Sequence, residues 1–206
     1  MKYNKMQDIL LELKNHRYNV FNLNDAAKLM NKSNKYTSKL LNSNKHIKKI
    51  ENGKYYIDEG TGIDLYQIAS NIVYPSYISL FSAFEFYSIT EQTIKKYSVV
   101  TPIRHRDIVI DNNIIEFNFI KKERFFGYTR NNNIYIAAVE KAIIDSLYFQ
   151  SPELSYVVEA FNRAIDLDII DLNKLIEYTR KMNSKILERK VDSMIHDYNN
   201  RDDKND

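Results

Sequence analysis

The sequence predicts an α+β fold in two parts: a basic module of short helices and a hairpin, then a larger region with a small antiparallel sheet and C-terminal helices. Three observations predict it. Apolar residues recur at helical spacing before residue 45 and give way to two strand-like runs around Asn52-Gly53. Short β-favouring runs between Asn-rich turns occupy residues 99–137, after which helical periodicity continues to residue 198. Net charge changes sign along the chain. Residues 1–57 hold twelve Lys/Arg and four Asp/Glu, a net +8, while the other 149 residues carry 18 bases and 23 acids, a net −5.

Met6, Ile9, Leu10 and Leu13 form one apolar stripe between Tyr3 and Leu13, which predicts a first helix. Val20 and Phe21 follow, Asn22 can cap a helix, and Ala26, Ala27, Leu29 and Met30 form the apolar face of a second. Asn31 suits a left-handed C-cap. Ser33 or Asn34 can cap a third helix to about Asn44, with Tyr36, Leu40 and Leu41 inward and Lys35, Ser38, Lys39 and Asn42 outward. HIKKI and KYYI then flank Glu51-Asn52-Gly53 as a hairpin. Three helices and a hairpin, in that order, predict a winged helix-turn-helix over residues 1–58.

Glu59-Gly60-Thr61-Gly62 reads as the linker. Ile63 to Ile72 has helical spacing, Tyr74-Pro75 breaks it, and Ser76 to Tyr87 is nearly uncharged and predicts one buried helix. Strands are predicted at Val99–Val100, Ile108–Ile110, Ile114–Ile120, Phe125–Tyr128 and Ile134–Ala137. Helices follow at Ala138–Phe149, Glu153–Ile165, Leu172–Met182 and Ser184–Tyr198, and Asn199–Asp206 is a polar tail expected to be disordered. The second domain thus runs from 63 to 198.

Composition excludes several classes of chemistry. With no cysteine there is no disulfide framework, no thiolate zinc site and no Cys nucleophile. The four glycines, Gly53, Gly60, Gly62 and Gly127, cannot write a P-loop or a GxGxxG fingerprint. His16, His46, His105 and His196 lack metal-ligand spacing, so neither metal nor cofactor is expected. Asp166-Leu167-Asp168 sits between helices and suits capping. No apolar run is long enough to cross a membrane, and the first residues lack the apolar core of a secretory signal, so an intracellular, cytoplasmic protein with no membrane partner is expected.

Clustered cations on a short module are the electrostatic footprint of phosphate binding, because they release condensed counterions. Abundant Asn, Lys, Ile and Tyr could reflect AT-rich coding sequence. That bias does not explain why no Lys or Arg lies between Lys54 and Lys95. Lys32, Asn34, Lys35, Tyr36, Ser38 and Lys39 fall on the groove-entering part of the third helix, and Lys45, Lys48, Lys49 and Lys54 surround the wing. Asn34 and Lys35 suit base edges; Lys48, Lys49 and Lys54 suit phosphates. Arg104-His105-Arg106 could meet phosphate or be a solvated turn. Lys141 and Asp145, four apart on a helix, can pair, with Ala142, Ile143 and Leu147 inward.

Tyr74-Pro75-Ser76-Tyr77-Ile78-Ser79, Ser82-Ala83, Glu91-Gln92, Val99-Val100-Thr101, Gly127-Tyr128, Ile136-Ala137 and Glu140-Lys141-Ala142-Ile143-Ile144-Asp145 resemble, in order and spacing, the AbiEi family of antitoxins and transcriptional regulators of abortive-infection toxin-antitoxin systems. The resemblance covers most of residues 5–150. It implies a DNA-binding winged helix that represses its own operon, and a C-terminal domain that counters a nucleotidyltransferase toxin. The expected protein is therefore a non-enzymatic repressor and antitoxin with double-stranded operator DNA and a cognate toxin as partners, possible as a homodimer. Two rivals stay open: an antitoxin that sequesters its toxin through direct contact, and a stand-alone regulator.

Overall fold

The computed structural model describes residues 20–58, 64–93 and 95–202. The helix expected at Tyr3–Leu13 lies outside them. The chain is α+β and divides into two units, 1–72 and 73–206.

In the first unit, β1 (Val20–Asn22) leads into α1 (Leu23–Met30) and α2 (Asn34–Asn42), then β2 (Ile47–Glu51), β3 (Lys54–Ile57) and α3 (Leu65–Ile72). The antiparallel sheet has the order β1-β3-β2. Gly53 closes the β2–β3 turn with φ of 78°, a left-handed value that glycine adopts without Cβ strain. Phe21 lies opposite Tyr55 in register and their rings stack at 5.9 Å. Ala26, Met30, Leu41, Ile47 and Ile57 complete the core under this pair. Leu29, expected inward, is exposed, as is Tyr36. Each falls at the rim of a short helix whose core face is already filled by small or aliphatic neighbours. The sequence puts the domain boundary at Glu59–Gly62; α3 packs against β1, and the units divide after Ile72.

The second unit holds β4 (Tyr77–Ile78), α4 (Leu80–Phe86), β5 (Lys96–Thr101), β6 (Ile108–Ile110), β7 (Asn113–Phe119), β8 (Tyr128–Asn131) and β9 (Ile134–Ala137). Four helices follow: α5 (Val139–Phe149), α6 (Leu154–Asp166), α7 (Leu172–Lys181) and α8 (Lys185–Asp202). The sheet order is β6-β7-β5-β4-β9-β8.

Four expectations are corrected here. The sheet is mixed, not purely antiparallel, because β5 pairs with β7 and β4 with β9 in parallel. The β6–β7 hairpin folds back so that β7 lies beside β5, a pairing that alternation within a strand does not encode. Ser76–Tyr87 is not one helix: Tyr77 and Ile78 form a strand between β5 and β9, and only Leu80–Phe86 is helical. Phe125–Gly127 precedes β8 rather than joining it, and α8 continues through Asn199 to Asp202 where a disordered tail is expected.

Helix α5 is buried at every position from Val139 to Leu147, since α4, α6, α7 and α8 all pack on it. Its Lys141 and Asp145 are both fully buried and joined by a short ion pair, not set on a solvated face. Asp145 also accepts hydrogen bonds from Ser79 (2.8 Å) and Tyr77 (3.0 Å). The Lys141 ammonium lies 5.0 Å from the Phe126 ring and 3.9 Å from the Met182 sulfur. Burial pushes the Asp145 carboxyl above the usual carboxylate range, against Lys141, Ser79 and Tyr77, which favour the anion. Burial likewise pulls Lys141 down and holds the Tyr77 phenol well above its ordinary value. Nearby, Glu140 accepts from the Asp171 backbone N–H at 3.1 Å and from Lys174 at 3.0 Å, tying α5 to the start of α7.

Gly127 is required where the chain passes this cluster. Its φ is 73°, and a Cβ would stand 2.8 Å from Tyr178 Cε2 and 3.1 Å from Lys141 Cβ. Gly127→Ala should therefore lower unfolding free energy by about 2–4 kcal/mol through strain and overpacking, against about 1 kcal/mol for Gly53→Ala, which meets no neighbour. Urea unfolding of the two variants separates these values. Asp145→Ala should cost about 3–5 kcal/mol by leaving the buried Lys141 charge unpaired, whereas Lys141→Met with Asp145→Leu should cost much less than twice that.

Candidate nucleic-acid interface

Between Asp25 and Glu51 the chain has no acidic residue and seven lysines. The fold of the first unit turns that run into a surface. Asn31 ends α1 with φ of 51°, its N–H reaching the carbonyls of Ala27 and Lys28, and this left-handed residue turns the chain directly into α2. Ser33 caps α2, its Oγ accepting the Tyr36 N–H at 3.3 Å. The inner face of α2 is fixed by Thr37 and Leu41, both fully buried. Helical periodicity then presents Lys35, Tyr36 and Lys39 to solvent.

Lys32, Asn34, Lys35, Tyr36, Lys39, Lys45, Lys48 and Lys49 are all exposed. The Lys32 ammonium sits over the Tyr36 ring, 6.0 Å from its centroid. Lys49 donates to Asn52 Oδ1 at 3.0 Å at the tip of the hairpin. Two expected contact residues are half-buried and engaged internally. Ser38 is half-buried and shares a hydrogen bond with the Tyr55 hydroxyl at 3.3 Å, so it ties α2 to the sheet. Lys54 forms an ion pair with Glu51 at 2.8 Å across the turn, which neutralises it locally.

Asn24 is a polar residue of this face that helical periodicity does not single out. Its Oδ1 accepts a hydrogen bond from Asn34 Nδ2 at 2.7 Å, across ten residues of sequence. Asn24, Lys28, Lys32 and Asn34 line an open hollow of about 540 Å³ at the α1–α2 turn.

In the second unit Arg104 lies with its guanidinium 4.5 Å from the Phe119 ring, and the His105 ring lies 4.5 Å from that of Phe117. This segment is thus packed on the sheet through its side chains rather than being only a solvated turn. Among the described residues no group of three His, Asp or Glu side chains could hold a metal ion, and no helix is long and apolar enough to cross a membrane.

No protein-family model matches the chain, and no curated protein matches it.

The surface depends on the start of α2 being held in place. Ser33→Ala should lower stability by about 1 kcal/mol through loss of the cap, a shift that thermal unfolding followed by circular dichroism would register.

Proposed function

We propose that the chain is a non-enzymatic DNA-binding repressor and antitoxin of the AbiEi kind. In this reading residues 1–58 form a winged helix-turn-helix whose α2 enters the major groove of operator DNA, while the β2–β3 hairpin runs along the backbone. The observation that carries the reading is the basic surface of α2 and the hairpin, where Lys35, Lys39, Lys45, Lys48 and Lys49 are exposed and the one acid, Glu51, is paired with Lys54. Lysines in such an arrangement gain free energy from counterion release on a phosphate backbone, and an exposed tyrosine and asparagine at a helix start give that binding a means of reading bases.

The remaining parts of the proposal rest on the resemblance to AbiEi proteins, which covers most of residues 5–150 and whose motifs lie between Tyr74 and Asp145. The second unit counters a nucleotidyltransferase toxin encoded in the same operon, and the protein works in the cytoplasm without a cofactor. A homodimer on paired operator sites fits a module this small, because two half-sites supply the affinity that one lacks.

Fluorescence anisotropy of the full chain on its own upstream DNA, with scrambled DNA as competitor, tests the reading. The wild type should bind its upstream DNA selectively, with affinity falling steeply as salt rises. Lys35→Glu with Lys39→Glu should weaken binding roughly 30-fold or more with the far-ultraviolet spectrum unchanged, since two contacts are each worth about 1–3 kcal/mol. Equal binding by the double variant would remove α2 from the interface.

A further inference from the structure

The Asn24–Asn34 hydrogen bond joins the first turn of α1 to the first residue of α2, and both side chains are exposed. An exposed amide pair contributes little to stability, since water would satisfy the same groups. Its consequence is orientational. A primary amide has two N–H donors and one carbonyl acceptor, and a free asparagine can turn either end toward a ligand. Asn34 commits one N–H to Asn24, at 2.7 Å; turning that amide over would require Asn24 to turn over with it, which would aim the Asn24 carbonyl, instead of its N–H groups, at an anion drawn to Lys28 and Lys32. What remains to Asn34 is one N–H and its carbonyl. That is the set complementary to adenine in the major groove, whose N7 accepts and whose N6 donates. Guanine offers two acceptors there, N7 and O6, and would oppose the carbonyl.

We propose that Asn24 is a positioning residue for base recognition: it holds Asn34 in the orientation that reads adenine, and turns its own amide N–H groups to the neighbouring phosphate. This inference rests on the DNA-binding reading above. The setting favours it. Lys28 and Lys32 line the same hollow as the two amides and supply the charge that draws a phosphate toward Asn24. Asp25, the one acidic residue beside Asn24, accepts a hydrogen bond from Asn22 at 3.3 Å. Ser33 caps α2 immediately before Asn34, which fixes the backbone from which the reading side chain projects.

Selection of bound duplexes from a randomised library, with the full-length wild type and the variants Asn24→Ala, Asn34→Ala and both together, tests the proposal. The wild type should select adenine at one position. Asn34→Ala should lose that preference by roughly 5- to 150-fold, the range for one bidentate base contact. Asn24→Ala should lose most of the preference at the same position and keep the others, and the double variant should match Asn34→Ala. Retention of the adenine preference by Asn24→Ala would overturn the proposal. So would a uniform loss of affinity with preferences unchanged, which would make Asn24 a phosphate contact only. A wild type that selects no sequence from the library would overturn the DNA-binding reading as well, so the two failures are distinct.

Discussion

The second unit depends on a lysine and an aspartate that meet inside it. Removing two charges from water is expensive, and the mutual attraction offsets that cost only when the remaining polar capacity is also satisfied. Here Asp145 accepts from Tyr77 on β4 and from Ser79 just after it, while Lys141 lies against Phe126 and Met182. The pair therefore specifies which strand, which loop and which helix junction can surround α5. Gly127 follows from the same constraint, since no side chain fits between Lys141 and Tyr178. Any arrangement of these elements that left either charge without its partners would be strongly disfavoured.

The first unit solves the opposite problem. Its cations face outward, and its small core must fix a helix whose exposed side is covered in like charge. Three contacts do this. Tyr55 stacks on Phe21 within the sheet and bonds Ser38 on α2, Leu41 and Thr37 anchor the inner face of that helix, and Ser33 caps its start. Repulsion among Lys32, Lys35 and Lys39 is tolerable in water because salt screens exposed charges over about 10 Å. In the proposed function, the same repulsion is relieved when a polyanion binds.

How much of this was legible in the sequence varies with the physics of each element. The helices α1 and α2 and the β2–β3 hairpin were readable because local signals set them: Asn31, Ser33 and Gly53 act within a turn. Strand β4 was not, since two buried residues, Tyr77 and Ile78, have no alternation to display and pair with strands distant in sequence. Parallel pairing of β5 with β7 was hidden for the same reason. The i,i+4 spacing showed that Lys141 and Asp145 could pair, but not that four helices bury them. Of the candidate interface, the exposed lysines followed from charge and periodicity, whereas the internal commitments of Ser38 and Lys54 and the Asn24–Asn34 bond depend on tertiary distances.

In the proposed function, phosphate binding is confined to the basic face of the first unit, formed by α2, the hairpin and the adjoining α1–α2 turn. Amine modification of every lysine in the full chain, read by mass spectrometry with and without upstream duplex, tests this most directly. The account predicts protection of Lys35, Lys39, Lys48 and Lys49, with reactivity unchanged at exposed lysines of the second unit such as Lys121 and Lys181. Equal protection across both sets, or none on α2, would contradict it.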